Sequence, residues 1–541
     1  MKKHALLLLL LIILIPNNAR SQHNPKDMGL SVITMDAIKA QLEFLSSDWT
    51  EGRETGTRGI YMAGDYVASM FKYSGVKGGG DPERRNFRRM MDMRSLQAPE
   101  NSYFQNFTLI ESTPSGGGTL TLSKGNVNYI FQENVDFSLR ARSSNDCVGE
   151  IVFIGYGIKS AEYGIDEIGS IDLKGKVVLR LGGYPGINNP ESKLSKLFQE
   201  DRRAAYTLTR EKNSILEEMG ALAVIDINEG QDMGNSFGED YEGKEMAPNE
   251  SRSNQAFTRL GLYDENATAP LLNISVTGKV INAILKDSGI NIDKYKKDAE
   301  TATKFKPVVV KGNTLAIKNE VKQRRVNVRN VVAMVEGEKK DEFIVVGAHM
   351  DHMGMSGGRI WNGADDNASG TVGVLTIARA FAAAGVKPQR TVIFCAWTGE
   401  EKGLLGSTYW ANNPSYGSID QCRFYLNYDM IARDAVNDQE KVNVGVTYNK
   451  DYPYLEELSK KNAEEYGLKM NFTYRAQEKP TGGSDYTAFT NNGVPIIAVM
   501  AAMHPEYHTP ADEINLVNWD KMLEIIKLGF LNMWDIANSD F

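Results

Sequence analysis

Cysteine and histidine are both scarce in this chain of 541 residues, which has three cysteines and six histidines. An odd number of cysteines leaves at least one free thiol in an exported chain, so stability cannot rest on a disulfide framework. Cys395 lies within an apolar run and is expected to act as a small core residue. A long run of lysine and arginine is also missing, and the net charge is −8, which disfavours nucleic acid as a partner.

The apolar run at the N-terminus is too short to span a bilayer comfortably. Two lysines precede this run at residues 5–14, and residues 19–21 resemble a signal-peptide cleavage site. We therefore expect a signal peptide over residues 1–21 and export to the periplasm or the cell exterior. A second apolar span is missing, so the mature chain is expected to have no transmembrane segment. The sequence does not indicate an oligomeric state.

The pattern of predicted strands and helices changes along the chain, which predicts more than one domain. After residue 325, apolar strands alternate with helical patterns, and the strands are predicted at 343–348, 390–397, 424–428 and 494–499. This alternation predicts an α/β fold, with a doubly wound, mostly parallel sheet and helices on both faces. Between about 115 and 310 the pattern is one of short strands and turns, and 228–261 reads as a long surface loop.

Ionisable side chains follow the predicted strands at their carboxyl ends, where open α/β sheets hold their active sites. Four of the six histidines fall in two strand-end loops, with acidic residues after the strands between them: His349, His352, His504 and His508, with Asp366, Glu400, Glu401 and Asp429. Imidazoles and carboxylates are typical zinc ligands. Two ions need about three protein ligands each and one shared carboxylate, which these residues can supply. The neighbours Glu400 and Glu401 point in different directions, so one can bind metal while the other acts as a general base.

Six motifs together resemble the M28 peptidase family, whose members are di-zinc aminopeptidases and related exopeptidases. The motifs are His349-Met350-Asp351, the run from Gly363 to Gly370, Gly399-Glu400-Glu401, Asp429-Met430, Ser484-Asp485-Tyr486 and Tyr507-His508-Thr509-Pro510. The resemblance spans about 325–541 and implies the zinc exopeptidase fold. Residues 44–48 and 51–53 resemble the start of the same domain, and the region between resembles an inserted protease-associated (PA) domain. The expected division is 22–124 for the first part of the peptidase domain, 125–310 for a β-rich PA-like insert, and 311–541 for the main part.

The resemblance also implies two zinc ions per chain and a ligand set for them. His349 and Asp429 would bind one ion, Glu401 and His508 would bind the other, and Asp366 would bridge the two.

Further roles are implied for residues that do not bind metal. Glu400 would be the general base, Asp351 would hold the imidazole of His349, and Tyr507 could donate a hydrogen bond to the oxyanion. A non-proline cis peptide is implied at Asp366-Asn367. For the remaining polar residues of the motifs, His352 is expected to be structural or at the rim, His504 has no derived ligand role, and Asp485 is expected to orient a neighbour by hydrogen bonds.

Several functions remain open at this point. The first is an exported metallo-aminopeptidase acting on peptides, with access to its cleft restricted by the PA-like insert. A carboxypeptidase of the same fold would need cations for the substrate carboxylate, and Arg359 and Arg433 are the candidates. A glutaminyl cyclase would use one zinc ion, and an inactive receptor would have lost ligand positions. Because every ligand position is filled, we favour the first.

Overall fold

The computed structural model describes residues 24–82, 101–139, 143–200, 202–227, 258–265, 271–301 and 305–539. Its helices are α1 Pro25–Ser31, α2 Met35–Leu45, α3 Arg58–Tyr73, α4 Lys193–Glu200, α5 Arg202–Glu218, α6 Gly278–Leu285, α7 Ile292–Ala299, α8 Gly370–Ala383, α9 Leu405–Asn412, α10 Tyr454–Glu465, α11 Tyr486–Thr490 and α12 Trp519–Asn538. Short helical turns lie at Asp48–Arg53, Ala364–Ser369, Ile419–Gln421 and Ile514–Leu516.

The strands in chain order are β1 Lys77–Gly78, β2 Phe104–Pro114, β3 Thr119–Lys124, β4 Val127–Gln132, β5 Phe137–Leu139, β6 Asn145–Phe153, β7 Lys159–Ser160, β8 Ile165–Asp166, β9 Val177–Leu181, β10 Ala223–Ile227, β11 Arg259–Leu262, β12 Leu272–Val276, β13 Val308–Asn319, β14 Val321–Val335, β15 Lys339–His349, β16 Gly354–Ser356, β17 Arg359–Trp361, β18 Arg390–Trp397, β19 Cys422–Tyr428, β20 Asn443–Asn449, β21 Asn471–Gln477 and β22 Ile496–Met500.

The chain forms two compact units. The first unit consists of Met1–Phe107 and Asn327–Phe541, and the second unit is Thr108–Val326. The predicted insert 125–310 falls within the second unit, and its PA-like character stays a prediction. The predicted signal peptide 1–21 lies outside the described residues.

A mixed sheet forms the centre of the first unit, and from β14 onward its strands follow the order β14-β18-β15-β19-β22-β20-β21, with β1 paired antiparallel to β14. The pairs β18·β15, β15·β19, β19·β22 and β20·β21 are parallel, whereas β14·β18 and β20·β22 are antiparallel. Because β15, β18, β19 and β22 run in one direction, their carboxyl ends meet at one edge of the sheet.

Both faces of this sheet are covered, which explains the unbroken apolar runs that predicted its central strands. Along β15, Val346 packs in a core with α2, α3, α8 and α12, whereas its neighbour Val345 packs in a second core with α9 and α11. The same alternation in β18 sends Phe394 to the first core and Cys395 to the second. These contacts confirm the predicted α/β fold with helices on both faces.

Several elements were not predicted from the sequence or differ from the prediction. The strands β20 and β21 and the helix α9 were not predicted. In β21 most side chains are at least partly exposed, so an apolar run is lacking. The predicted loop 228–261 ends in strand β11, which pairs with β2, and its first part, 228–257, lies outside the described residues.

The second unit has its own sheet, in the order β4-β3-β13-β6-β9-β10-β12-β5. Its centre, from β6 through β9 and β10 to β12, is parallel, and the flanking pairs are antiparallel. A separate hydrophobic core fills this unit, with the side chains of Leu179, Ile225 and Ile281 among its members.

The sequence predicted at least one free thiol and no reliance on a disulfide framework. Cys147, Cys395 and Cys422 are all free thiols, and Cys395 is buried in the core. Across the described ranges, each helix is either too short or too polar to cross a lipid bilayer.

Candidate metal centre

His349, the last residue of β15, is the first side chain of the site, and it is 1% exposed. Its Nδ1 lies 3.1 Å from the carbonyl oxygen of Asp351. Because a carbonyl can only accept, Nδ1 is the protonated nitrogen and Nε2 presents its lone pair to the site. Nε2 lies 3.4 Å from Asp429 Oδ1 and 3.5 Å from Asp366 Oδ1. The hydroxyl of Thr371, in α8, donates to the His349 carbonyl at 2.9 Å and joins the strand to the helix.

Asp366 lies in the irregular helical turn that leads into α8, and the peptide bond from Asp366 to Asn367 is cis, as the resemblance implied. The main-chain amides of Asp365 and Asp366 donate to Oδ2 of Asp512 at 3.1 and 3.0 Å. The side-chain amide of Asn367 donates to the carbonyl of Tyr428 at 3.0 Å. These bonds fix the backbone on either side of the Asp366 carboxylate.

The two oxygens of the Asp366 carboxylate face different histidines. Oδ1 lies 3.5 Å from His349 Nε2, and Oδ2 lies 3.1 Å from His508 Nε2. The carboxylate therefore stands between two groups of possible ligands.

Glu400 and Glu401 follow β18, and the carboxylate of Asp351 holds the turn that they form. Asp351 Oδ1 accepts from the amide of Glu400 at 3.1 Å, and its Oδ2 accepts from the amide of Glu401 at 3.3 Å and from the hydroxyl of Thr55 at 2.9 Å. Asp351 contacts the His349 imidazole through its main chain, because its carbonyl oxygen accepts from Nδ1 at 3.1 Å while its carboxylate oxygen is 4.0 Å away. Asp351 thus connects two strand ends.

His508 lies in the loop after β22 and completes the second group. Its Nε2 is 3.3 Å from Glu401 Oε2, in addition to the 3.1 Å to Asp366 Oδ2. The indole of Trp361 donates to the His508 carbonyl at 3.3 Å, and the Tyr507 ring stacks on the imidazole with 3.7 Å between centroids. Tyr507 is therefore at the site, beside the ring rather than among the carboxylates.

His352 lies inside the site. The sequence had suggested a structural residue or one at the rim. Its side chain is 0% exposed, and its Nδ1 lies 2.8 Å from Glu401 Oε1 and 3.6 Å from Asp366 Oδ2. The first motif carries two histidines three residues apart, and this spacing was the signal available for its role. His352, Asp366 and Glu401 present ligand atoms within 4.8 Å of one another, as do His349, Asp366 and Asp429.

Residues 330–530, which contain Glu400 and every candidate metal ligand, match the model of peptidase family M28, and we call them the M28 segment.

The chain is also similar to curated relatives and, in fold, to a solved structure. Leucine aminopeptidase 2 of Trichophyton rubrum is 34% identical over 170 residues, which are 31% of this chain and 32% of the fungal protein. A probable glutamate carboxypeptidase of Arthroderma benhamiae is 29% identical over 194 residues, 34% of this chain and 25% of that protein. The match thus spans about a third of the fungal aminopeptidase. The structure of the aminopeptidase from Aneurinibacillus sp. strain AM-1 has a similar fold, with a TM-score of 0.51, 18% identity, and coverage of 95% of this chain and 96% of that one.

The M28 segment concentrates negative charge at the edge of its sheet. Burial raises the pKa of Glu400 well above its usual value, and it raises the pKa of Asp485 to about 7. Burial alone lowers the pKa of His349, but Glu400 and Asp429 outweigh it and raise the pKa well above the usual value. Burial raises the pKa of Glu401, but hydrogen bonds with His352 and His508 bring it well below the usual range. Carboxylates held this close together call for cations.

The donor atoms of the M28 segment fit a divalent metal. Asp366 Oδ2 is buried and makes no hydrogen bond of regular geometry within the described structure, although His508 Nε2 lies only 3.1 Å away. His352 Nε2 is likewise a buried atom without such a bond among the described residues. Imidazole nitrogens and carboxylate oxygens gathered at these distances are the donor set that zinc prefers around a common position.

Two further polar side chains lie near the site. The carboxylate of Asp485, which was expected to orient a neighbour, is buried and interacts with the Ser407 hydroxyl, although its oxygens make no hydrogen bond of regular geometry in the described part of the chain. His504, for which the sequence suggested no role, lies between two acidic side chains, with 3.3 Å from Nε2 to Asp365 Oδ2 and 3.3 Å from Nδ1 to Glu506 Oε2. Through the first contact it packs against Asp365, the residue directly before Asp366.

The cations suggested for a carboxypeptidase are not equally available. Arg433 is buried and pairs with Glu506 at 2.5 Å and with Asp512 at 3.6 Å. Arg359 is exposed on the hairpin of β16 and β17. Since two internal carboxylates already surround Arg433, its guanidinium is not free to hold the carboxylate of a substrate.

Proposed function

We propose that this chain is a zinc-dependent aminopeptidase that removes N-terminal residues from peptides. The observation that carries the proposal is the position of Asp366, with one oxygen 3.5 Å from His349 Nε2 and the other 3.1 Å from His508 Nε2. A carboxylate shared in this way supports two metal positions side by side. The M28 match and the likeness to fungal leucine aminopeptidases support the reaction class.

Two zinc ions per chain would each have three protein ligands. His349 and Asp429 with Asp366 would hold the first ion, and Glu401 and His508 with Asp366 would hold the second. Imidazole nitrogens and carboxylate oxygens are the ligands that zinc prefers, and three protein ligands leave a position open for water or substrate. His352 also faces Glu401 and Asp366, so it would support the second position, as a ligand or by holding Glu401.

The chemistry needs a base, a stabilised carbonyl oxygen and a bound peptide. Zinc, when bound, lowers the pKa of water and polarises a carbonyl group. Glu400, whose Oε2 lies 3.9 Å from His349 Nε2, would take a proton from the attacking water and pass it to the leaving amine. Tyr507 would donate its hydroxyl proton in a hydrogen bond to the carbonyl oxygen as that oxygen gains charge. Asp351 would keep Glu400 and Glu401 oriented through their amides.

The experiment is hydrolysis of a panel of free and N-blocked peptides, with and without chelator, by the wild type and by Glu400→Gln. We expect chelator-sensitive release of N-terminal residues, reduced about 10²–10⁴-fold in Glu400→Gln while two zinc ions stay bound. Glu342→Gln is the matched control, because this glutamate lies near the start of β15 and pairs with Arg390 at the start of β18, far from the end of β18 that Glu400 follows. Cleavage only of N-blocked peptides with a free C-terminus would replace the proposal with a carboxypeptidase, and a stoichiometry of one zinc would favour a glutaminyl cyclase.

We also propose export and a role for the insert. The basic and then apolar residues 2–14 support a signal peptide that ends at residue 21, and N-terminal sequencing of the mature chain tests this. A PA-like insert would restrict the site to peptides and unfolded ends. Cleavage of internal bonds in folded proteins would contradict that restriction.

A further inference from the structure

Arg53 is a fully buried arginine in the turn Asp48–Arg53, and the mechanism above does not use it. The turn has three successive residues with left-handed backbone: Glu51 at φ 51°, Gly52 at φ 66° and Arg53 at φ 52°. A Cβ atom at Gly52 would stand 2.4 Å from the carbonyl oxygen of Gly354, so only glycine allows this close approach. The turn sends the arginine side chain into the interior, toward the segments that carry the candidate ligands.

Every hydrogen bond of the Arg53 guanidinium ends on a main-chain carbonyl. Nε donates to Met350 at 2.8 Å, Nη1 donates to Leu45 and Asn362 at 2.6 Å each, and Nη2 donates to Gly363 at 2.9 Å. Met350 is next to His349, and Gly363 is three residues before Asp366. In return, the amide of His352 donates to the Arg53 carbonyl at 3.2 Å. One planar group thus ties the segment after β15 to the segment that carries Asp366.

The choice of acceptors also matters for charge. A buried cation normally pairs with a carboxylate, yet within the described ranges no carboxylate oxygen lies within 4.0 Å of this guanidinium. Burial lowers the pKa of Arg53 to about 10, so the group is charged at neutral pH, and Asp366, Asp512, Asp351 and Glu401 favour that charge from a distance. Since its donors end on carbonyls, the arginine offsets negative charge without occupying a ligand oxygen.

We infer that Arg53 is a positioning residue for the metal centre: it fixes the His349–His352 segment against the Asn362–Asp366 segment and leaves every ligand carboxylate free. This inference rests on the proposed function.

The test compares Arg53→Lys with Arg390→Lys in the full chain. Arg390 is the matched control because it is also buried, at 1% exposed, and donates to the carbonyls of Ile536 and Ser539, but at the start of β18 rather than at the ligand edge. Lysine keeps the charge and loses the planar fork. We measure zinc affinity and stoichiometry by titration, thermal unfolding of the metal-free protein, and kcat and KM at saturating zinc.

Arg53→Lys is expected to bind zinc about 10–100-fold more weakly than Arg390→Lys does, and to lose kcat with little change in KM. Equal zinc affinity in the two variants, with similar unfolding temperatures, would overturn the inference and leave the proposed function intact. A wild type that neither binds zinc nor hydrolyses peptides would overturn both. Should Arg53→Lys fail to fold, Arg53→Ala refolded with methylguanidinium replaces it. Rescue of zinc affinity along with the fold is then expected, and rescue of the fold alone would contradict the inference.

Discussion

Each of the two units buries charged side chains, but the units differ in the partners that surround them. There, Arg180 pairs with Asp226 at 2.6 Å, and Lys212 donates to the carbonyl of Gly183 at 3.0 Å. Glu167 accepts hydrogen bonds from the amides of two neighbouring residues and from a tyrosine hydroxyl. Buried charges that are paired in this way need no further partner.

In the first unit the buried carboxylates outnumber the cations near them. Side chains that are at most 7% exposed include Asp351, Asp365, Asp366, Asp429, Asp485 and Asp512. Arg433 lies 3.6 Å from Asp512, and the bonds of the Arg53 guanidinium within the described ranges all end on carbonyls. An excess of negative charge in a buried place is stable only with protons or added cations. The difference between the units therefore distinguishes buried charges that stabilise the fold from buried charges that could bind a cation.

The largest effect is expected from removing one carboxylate charge in each unit. Asp366→Asn should lose zinc and bring hydrolysis to background, because both metal positions share this side chain. In the metal-free protein the same change should not lower stability, since it relieves repulsion. Asp226→Asn should leave zinc binding unchanged. It should lower the free energy of unfolding by about 1–3 kcal/mol, because it removes the negative charge that pairs with buried Arg180. Zinc analysis and urea unfolding measure both changes, and a destabilised metal-free Asp366→Asn would contradict the comparison.

A smaller effect separates the two histidines near Glu401. His508→Ala should reduce the zinc content from two ions to one and abolish most activity. His352→Ala should keep two ions and bind the second about tenfold more weakly, as expected for a supporting group. Zinc content after dialysis against a weak chelator tests this. The opposite result would exchange their roles and make His352 the ligand.

The smallest effect concerns pH and the second unit. Burial lowers the folded-state pKa of Lys212 from 10.5 to about 8. Between these values the unfolded chain binds more protons than the folded one, so stability rises with pH across that window, and the full penalty is present below pH 8. Lys212→Met should remove this rise and be more stable by about 2–3 kcal/mol at neutral pH. Urea unfolding at several pH values measures it, with exposed Lys196→Met as the control. A wild type without the rise would show that Lys212 is solvated.

Much of the first unit follows from the sequence because its signals are local. The residues of the run 343–348 are apolar on both faces of the strand, and His349 follows them. This is enough to predict a buried strand and a site at its end. The bonds of Arg53 and of the Asp351 carboxylate could not be predicted in this way. Apart from the bond between Thr55 and Asp351, they end on main-chain atoms, which have the same chemistry in every residue and leave no pattern in the sequence. The strand β21 was missed for another reason, since its side chains are largely exposed and it lies at the edge of the sheet.

The two faces of the Asp366 carboxylate make the loading of the centre a linked process. In a chain loaded as proposed, the first ion neutralises charge that the second ion would otherwise meet, and it also orders the oxygen that the second ion needs. The two binding constants are therefore coupled, with electrostatics weakening the second step and pre-ordering strengthening it. Because the amides of Asp365 and Asp366 already fix this segment on Asp512, little ordering remains to be gained. The second ion should accordingly bind more weakly than the first, and the protein should pass through a singly loaded form at limiting zinc.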